Sequence, residues 1–369
     1  MAGPADRAAL IGLAALAVGM GIGRFAFTPI LPMMQAEGLS LAAGGWLASA
    51  NYAGYLAGAL SARWLRGEHA IRAGLAVIAF TTLGMAWNFP LAAWLVLRAA
   101  AGIASAWLLV NVSAWCLQRG ALGGVVYSGV GAGSAAAGLT CLVLMQAGAG
   151  PVEAWIALGA AALAATVLLW PVFHARDPTP ESAPAQRWSL RSARLVLCYA
   201  AYGFGYIIPA TFLPAMAREA LGAPALFGWA WPVFGAAAAA STLAASPLAR
   251  RFGTRRVWIG GHLIMAAGVV APLVLPGIAG IALAAVCVGA TFVVITMVAL
   301  QEGGLVGGAP LMAAMTAGFA AGQIAGPAFV SLLAAAGGGL AATGGGLPAA
   351  SYAACFLLVA SAAALLAGR

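Results

Sequence analysis

Two arginines lie where a charge is costly. Arg24 interrupts the apolar stretch Gly19-Met-Gly-Ile-Gly-Arg-Phe-Ala-Phe-Thr-Pro-Ile-Leu-Pro32, and Arg98 sits inside another that begins near Leu91. A guanidinium presents five N–H donors in a flat fork and does not titrate usefully, so its chemistry is recognition of a carboxylate or phosphate rather than proton transfer. At the bilayer centre such a charge costs at least ~2.5–3.5 kcal/mol on insertion scales, so it usually faces a protein interior and serves function. The competing role is structural: each arginine snorkels, or caps backbone carbonyls to hold helices together. No Asp or Glu lies deep in an apolar run to pair with either arginine. Both sit about 10–15 Å below the same surface at 1.5 Å per helical residue. Two unpaired cations in one layer favour an anionic ligand.

Neutral polar and aromatic residues could complete such a site. Tyr199, Tyr202 and Tyr206 recur at i, i+3 and i+7, so one helix face presents three phenols. Asn51, Tyr52 and Tyr55 cluster similarly, Trp107 and Asn111 are one turn apart, and Thr296 and Gln323 supply further polar points. The candidate substrate contacts are Arg24, Arg98, Asn51, Tyr55, Trp107, Asn111, Tyr202, Tyr206 and Gln323. Interhelical hydrogen bonding and interfacial aromatic belts are the blander uses of the same residues. No Ser/His/Asp, Cys/His or paired-carboxylate arrangement is available from three histidines and eight acids that lie almost all in loops, so catalytic residues, cofactor and metal ligands are not expected. The five cysteines show no metal or disulfide spacing.

The elements that position these residues are membrane helices. The chain is 64% hydrophobic and 7% charged, with a mean hydropathy of +1.01, whereas soluble domains average about 25% charged. Turn signals and charges mark twelve apolar runs, near 8–34, 42–62, 71–89, 91–117, 121–147, 152–173, 194–216, 226–249, 256–275, 277–300, 309–336 and 348–367. The first run is too long for the h-region of a signal peptide and is read as a retained helix. The net charge of +9 comes from arginine alone. Of 17 basic residues, Arg24 and Arg98 lie in spans and only Arg218 falls in an outer loop, which leaves fourteen on the side of both termini. That asymmetry predicts cytoplasmic termini in a cell membrane rather than a nucleic-acid partner.

The chain also repeats itself. Gly203-Phe-Gly-Tyr-Ile-Ile-Pro-Ala-Thr-Phe-Leu-Pro214 matches the Arg24 stretch at an offset of 182 residues, aligning Gly21, Gly23, Leu31 and Pro32 with Gly203, Gly205, Leu213 and Pro214, and Arg24 with Tyr206. A polar segment at 174–194 separates an N-terminal six-helix half, 1–173, from a C-terminal half, 195–369. Two halves of the same orientation form a parallel repeat of the kind found in transporters, with the binding site near the midplane between them. Prolines 29, 32, 209 and 214 are expected to kink or end the first and seventh helices. Small-residue strings at Gly129–Gly138, Gly235–Ala240 and Gly318–Gly326 are expected to pack helices closely. The Gly-rich run Ala336–Pro348 reads as an outer loop without chemistry.

These features resemble the major facilitator superfamily. The loop after the eighth helix is similar to its Gly-x-Leu-x-Asp-Arg-x-Gly-Arg-Arg signature through Leu248, Arg251, Gly253 and Arg255, and the loop after the second is a weaker copy through Gly58, Leu60, Arg63 and Arg66. Both lack the signature's aspartate, Ala62 and Arg250 standing in its place, which puts the family's usual cytoplasmic latch in doubt. Arg98 and Gly102 match its Arg-x-x-x-Gly motif. More narrowly, the Gly21–Pro29, Ala48–Tyr55 and Tyr202–Pro214 strings resemble the bacterial YbfB/YjiJ subfamily. The resemblance implies an all-α transporter, twelve helices in two pseudo-symmetric halves, that moves a small organic solute by alternating access as a monomer. It favours export over import. The rival roles are a non-transporting sensor or lipid-handling scaffold on the same fold, and a membrane-embedded enzyme.

Overall fold

The computed structural model describes residues 3–62, 64–65, 67–121, 123–173, 189–336 and 346–367. Within them the chain is helical, and the helices follow the twelve apolar runs in order: α1 (Pro4–Ala36), α2 (Leu41–Ser61), α3 (Gly67–Gly84), α4 (Leu91–Gln118), α5 (Gly123–Gln146), α6 (Pro151–Leu169), α7 (Leu190–Leu221), α8 (Pro224–Phe252), α9 (Thr254–Val274), α10 (Ile278–Gly308), α11 (Pro310–Ala336) and α12 (Gly346–Ala367). Ten are long and apolar enough to cross a membrane. The other two are the more polar α2, with Asn51, Tyr52 and Tyr55, and the 18-residue α3, with Glu68, His69 and Arg72. Most of the 174–194 connector, the 337–345 part of the Gly-rich run, Arg63 and Arg66 lie outside the described residues.

Glycine sets how closely the helices approach. A methyl group on Gly102 of α4 would lie 1.9 Å from the carbonyl oxygen of Asn51 on α2, and one on Gly54 would lie 1.9 Å from that of Ala99. No side chain fits between these backbones. Gly131 and Gly235 bring α5 and α8 together in the same way, joining the two halves. The glycines of α11 also pack a helix closely, but not one of the other half. Gly318, Gly322 and Gly326 pack on α7 within their own half, against Val196, Ala200 and Ile207. The contact of α11 with the first half uses a glycine of α2 instead, Gly45, which meets Ser331.

α1 is interrupted, but not by its prolines. Residues Ala17–Ile22 form a π-helical stretch, with Gly23 N–H bonding Val18 O and Phe25 N–H bonding Met20 O, and turns follow to Ala26. Three glycines in five residues remove the side chains that would resist this rewinding, and π segments inside helices are rare and cluster at functional sites. Pro29 and Pro32 lie beyond the break, and α7 runs unbroken through Pro209 and Pro214. The rewinding leaves carbonyls of Gly23 and Arg24 without helical partners. Arg98 takes both, Nη1 to Gly23 O at 3.4 Å and Nη2 to Arg24 O at 3.1 Å. Asn51 Nδ2 donates to Gly23 O at 3.3 Å and to Arg98 O at 2.9 Å, tying α1, α2 and α4 into one unit.

Two outcomes follow from this packing. Gly102→Ala overpacks the α2–α4 contact and is expected to destabilise by about 1–3 kcal/mol, whereas Gly260→Ala, whose methyl group would meet nothing within 4 Å, is expected to leave the unfolding temperature in detergent unchanged. Arg98→Ala strands the buried carbonyl of Arg24, at about 1–3 kcal/mol for the unsatisfied group, and leaves that of Gly23 to Asn51 alone. It is expected to lower the unfolding temperature clearly, with Arg98→Lys recovering only part because an ammonium cannot reproduce the fork.

Candidate functional site

The break in α1 delivers Arg24 to the centre of the molecule, where it is 1% exposed. Its guanidinium carbon lies 4.1 Å from the ring centre of Tyr55, 5.0 Å from that of Tyr52 and 5.4 Å from that of Phe25. Aromatic faces offer a desolvated cation about 2 kcal/mol each at best, less than a carboxylate would. Nη2 donates to Tyr206 Oη at 3.2 Å, while Nε and Nη1, which carry three of the five N–H groups, have no partner. Gln323 Nε2 also donates to the Tyr206 hydroxyl. Both acceptor positions of that hydroxyl are therefore taken, and its own proton is left to donate. The site holds more donors than acceptors.

The Arg24–Tyr206 bond joins positions that the internal repeat makes equivalent, 182 residues apart. So does the neighbouring bond from Thr28 Oγ1 to Ala210 O, at 2.8 Å. Matched positions touch only on a two-fold axis, as in an isologous dimer contact, so α1 and α7 cross on the pseudo-axis between the halves. The prolines contribute here by what they lack. Pro214 has no N–H to give Ala210 O, its partner one turn back, and Thr28 supplies the donor from the opposite half. Further bonds between the halves run from Tyr52 Oη to Thr211 Oγ1 (3.0 Å), Ser49 Oγ to Ile324 O (3.2 Å), Ser331 Oγ to Ala42 O (3.1 Å) and Arg218 Nη1 to Pro32 O (2.8 Å). They lie at the level of Arg24 or on the side away from the termini.

The structure brings together Arg24, Arg98, Asn51, Tyr55, Tyr206 and Gln323. Tyr202 stacks on Tyr206 with ring centres 5.1 Å apart, but its hydroxyl turns to α10, where Phe292 O accepts it and Thr296 Oγ1 lies 3.1 Å away. Trp107 and Asn111 are elsewhere. The Trp107 indole donates to Ser61 Oγ at 2.9 Å, and Asn111 accepts from Gly67 N–H at 2.8 Å, so both fasten the turn between α2 and α3. Arg98 is spent on carbonyls and lies over the Phe27 ring, its guanidinium carbon 4.9 Å from the ring centre. Arg98 keeps one N–H group, on Nε, without a partner, and Arg24 keeps three.

On the side of the termini two acids are paired, Glu68 in the first turn of α3 and Glu302 near the end of α10. Glu68 accepts from Trp115 Nε1 at 2.9 Å and pairs with Arg119 at 3.6 Å. Glu302 accepts from Thr254 Oγ1 at 2.9 Å and pairs with Arg191 at 3.3 Å. Gly253 caps α9 with φ +84, Arg251 lies by the Phe252 ring, and Arg255 binds Leu365 O at the end of α12. Gly58 packs on Ile103 of α4, its absent methyl 2.4 Å from the carbonyl oxygen there. Sequence reasoning missed Thr28, Thr211 and the ring column of Trp231, Phe234, Phe292 and Phe319. Thr28 lies four residues before Pro32 and Thr211 three before Pro214, the matched prolines, a signal that was available; the column joins residues far apart in sequence.

No curated protein matches this chain. Solved structures of a bacterial homologue of the human lysosomal transporter Spinster are similar, in its inward-facing unoccupied and inward-facing occupied conformations. Each is 16% identical, with 100% of this chain and 96% of that chain covered, at TM-scores of 0.67 and 0.69. At that identity the likeness is one of fold. The model of a family described as the uncharacterised MFS-type transporter YbfB matches residues 16–365. A pseudo-two-fold axis between six-helix halves, a buried arginine on that axis and a family match over nearly the whole chain agree: this multi-pass membrane protein belongs to the YbfB family of MFS-type transporters.

Proposed function

We propose that the protein carries a small organic anion across the bacterial inner membrane by alternating access, with halves 1–173 and 195–369 rocking about the Arg24–Tyr206 axis and 174–194 linking them. One observation carries the reading. Arg24 is fully buried on the axis, has no acid beside it among the described residues, and keeps three N–H groups without a partner. Buried donors are normally satisfied, and an acceptor-only carboxylate or phosphate is the partner that a guanidinium fits best. Tyr206 would donate to the same anion, and Tyr52 and Tyr55 would wall it. Arg98 and Asn51 would act on the site through the α1 backbone, as positioning residues. The arginine asymmetry of the loops supports cytoplasmic termini, and nothing in the fold calls for more than a monomer. Export rests on family resemblance alone.

In a thermal-shift screen of the purified protein, carboxylates or phosphates are expected to raise the unfolding temperature, because a ligand of the folded state stabilises by RT ln(1 + [L]/Kd). Arg24→Gln is expected to abolish that rise while folding normally. Hits confined to neutral or cationic compounds, unchanged by the substitution, would make Arg24 a structural anchor instead. Motion between halves is tested separately. A methyl group on Gly45 would lie 3.3 Å from Ser331 Cβ, close to the 3.5–4.5 Å of a disulfide. Oxidising the Gly45→Cys, Ser331→Cys pair is expected to stop flux in proteoliposomes and reduction to restore it. Activity unaffected by the cross-link would favour the non-transporting scaffold.

A further inference from the structure

Beside Arg24 runs a column of parallel rings. Trp231 and Phe234 of α8 stack at 4.4 Å and 8°, Phe234 meets Phe292 of α10 at 5.3 Å and 22°, Phe292 meets Tyr206 at 5.7 Å and 4°, and Tyr206 meets Phe319 of α11 at 5.6 Å and 3°. All belong to the second half. The first half touches the column through Phe25, the residue after Arg24, which lies tilted to Trp231 (6.0 Å, 54°) and nearly perpendicular to Phe292 (5.9 Å, 79°). Phe292 is stacked on both sides within the column, whereas Trp231 ends it, so the Phe25–Trp231 contact is where a ring can enter between the halves. Trp231 is 1% exposed, and its indole N–H has no partner. A buried donor left over at a seam that must part calls for an acceptor arriving with the ligand.

We infer that the solute is a planar arenecarboxylate whose ring enters between Phe25 and Trp231, with a ring-borne acceptor on the Trp231 N–H and its carboxylate on Arg24. The inference rests on the anion reading above and adds the body to the charged group. The geometry is consistent in scale: Phe25 and Arg24 are adjacent in the chain, and the guanidinium carbon is 5.4 Å from the Phe25 ring centre, so charge and ring are bound side by side. Trp231 ends the column, so its outer face takes a flat ring once the halves part, whereas a puckered ring of equal size stacks there poorly. Trp231 is then a specificity residue that the charged residues of the chain do not announce.

The test is thermal stabilisation of the full-length protein by benzoate, 4-hydroxybenzoate, cyclohexanecarboxylate, acetate and benzamide. The expected order is 4-hydroxybenzoate, then benzoate, then cyclohexanecarboxylate and acetate well below, with benzamide inactive. Trp231→Phe keeps a stacking face and loses the donor. It is expected to weaken 4-hydroxybenzoate roughly three- to tenfold, down to the level of benzoate, and to leave benzoate unchanged. Cyclohexanecarboxylate or acetate binding as tightly as benzoate overturns the planar body while the anion reading stands. Benzamide binding as tightly as benzoate overturns the anion reading while the planar body stands. No response to any of the five overturns the arenecarboxylate, and phosphate or aliphatic hits in the wider screen then decide the fate of Arg24 separately. The wild-type series separates these outcomes by itself, whether or not the variant folds.

Discussion

A positive charge held on the axis of the fold, with no acid to meet it, is the constraint around which this molecule is arranged. Burial of Arg24 is tolerable only because three aromatic rings and the Tyr206 hydroxyl share the charge. To place the guanidinium among them, α1 abandons α-helical pairing over Ala17–Ile22 and uncovers two carbonyls. Those carbonyls then require Arg98 and Asn51. Asn51 can reach only because Gly54 and Gly102 let α2 and α4 touch backbone to backbone. Each feature answers a cost created by the one before it, and the sequence of costs begins at Arg24.

The repeat explains where the charge sits, and its imperfection explains what the site can do. On a two-fold axis equivalent residues meet, and two identical arginines there would repel at close range without solvent to screen them. The second copy carries tyrosine instead, a group that accepts from the guanidinium and has a proton left to give. The same logic applies one turn on, where Thr28 donates to the carbonyl released by Pro214. The halves have diverged in content around this contact. The first supplies the cation and the backbone clamp; the second supplies the column of rings.

Much of this was legible in the chain, for definable reasons. The cost of charge in lipid picks out Arg24 and Arg98, and the internal repeat aligns Arg24 with Tyr206, although not that they touch. What sequence could not show is the choice among neighbours. Asn111 and Asn51 lie at comparable spacing on apolar helices, yet one serves a turn and the other the α1 clamp, because the acceptors they find are backbone carbonyls with no signature of their own. Arg98 turns to carbonyls rather than to a ligand for the same reason. The π segment is encoded by three glycines, which are equally compatible with tight packing. The terminal-side acids carry no local signal, because Glu68 and Glu302 stand outside the signature positions and reach Trp115, Arg119, Thr254 and Arg191 only through the fold.

The strengths of the contacts are graded in a way that suits movement. Inside each half, helices are joined by glycine-mediated backbone contact, and in the first half also by the arginine fork, which break only with loss of packing or of buried hydrogen bonds; one such glycine contact, Gly131 with Gly235, also joins the halves. Between the halves, the bonds away from the termini are mostly single neutral ones from hydroxyl groups: Thr28 to Ala210, Ser49 to Ile324, Ser331 to Ala42, Tyr52 to Thr211. Each contributes about 0.5–1.5 kcal/mol net, so this group sums to a few kcal/mol. That is the size of gap across which two conformations exchange and a ligand can shift their populations. Two guanidinium groups also bond across the seam, Arg218 to Pro32 O and Arg24 to Tyr206, and Arg24 is the fully buried one, with three N–H groups to spare. A ligand that engages it competes with Tyr206 for the charge, so binding and the strength of the seam are set by the same atoms.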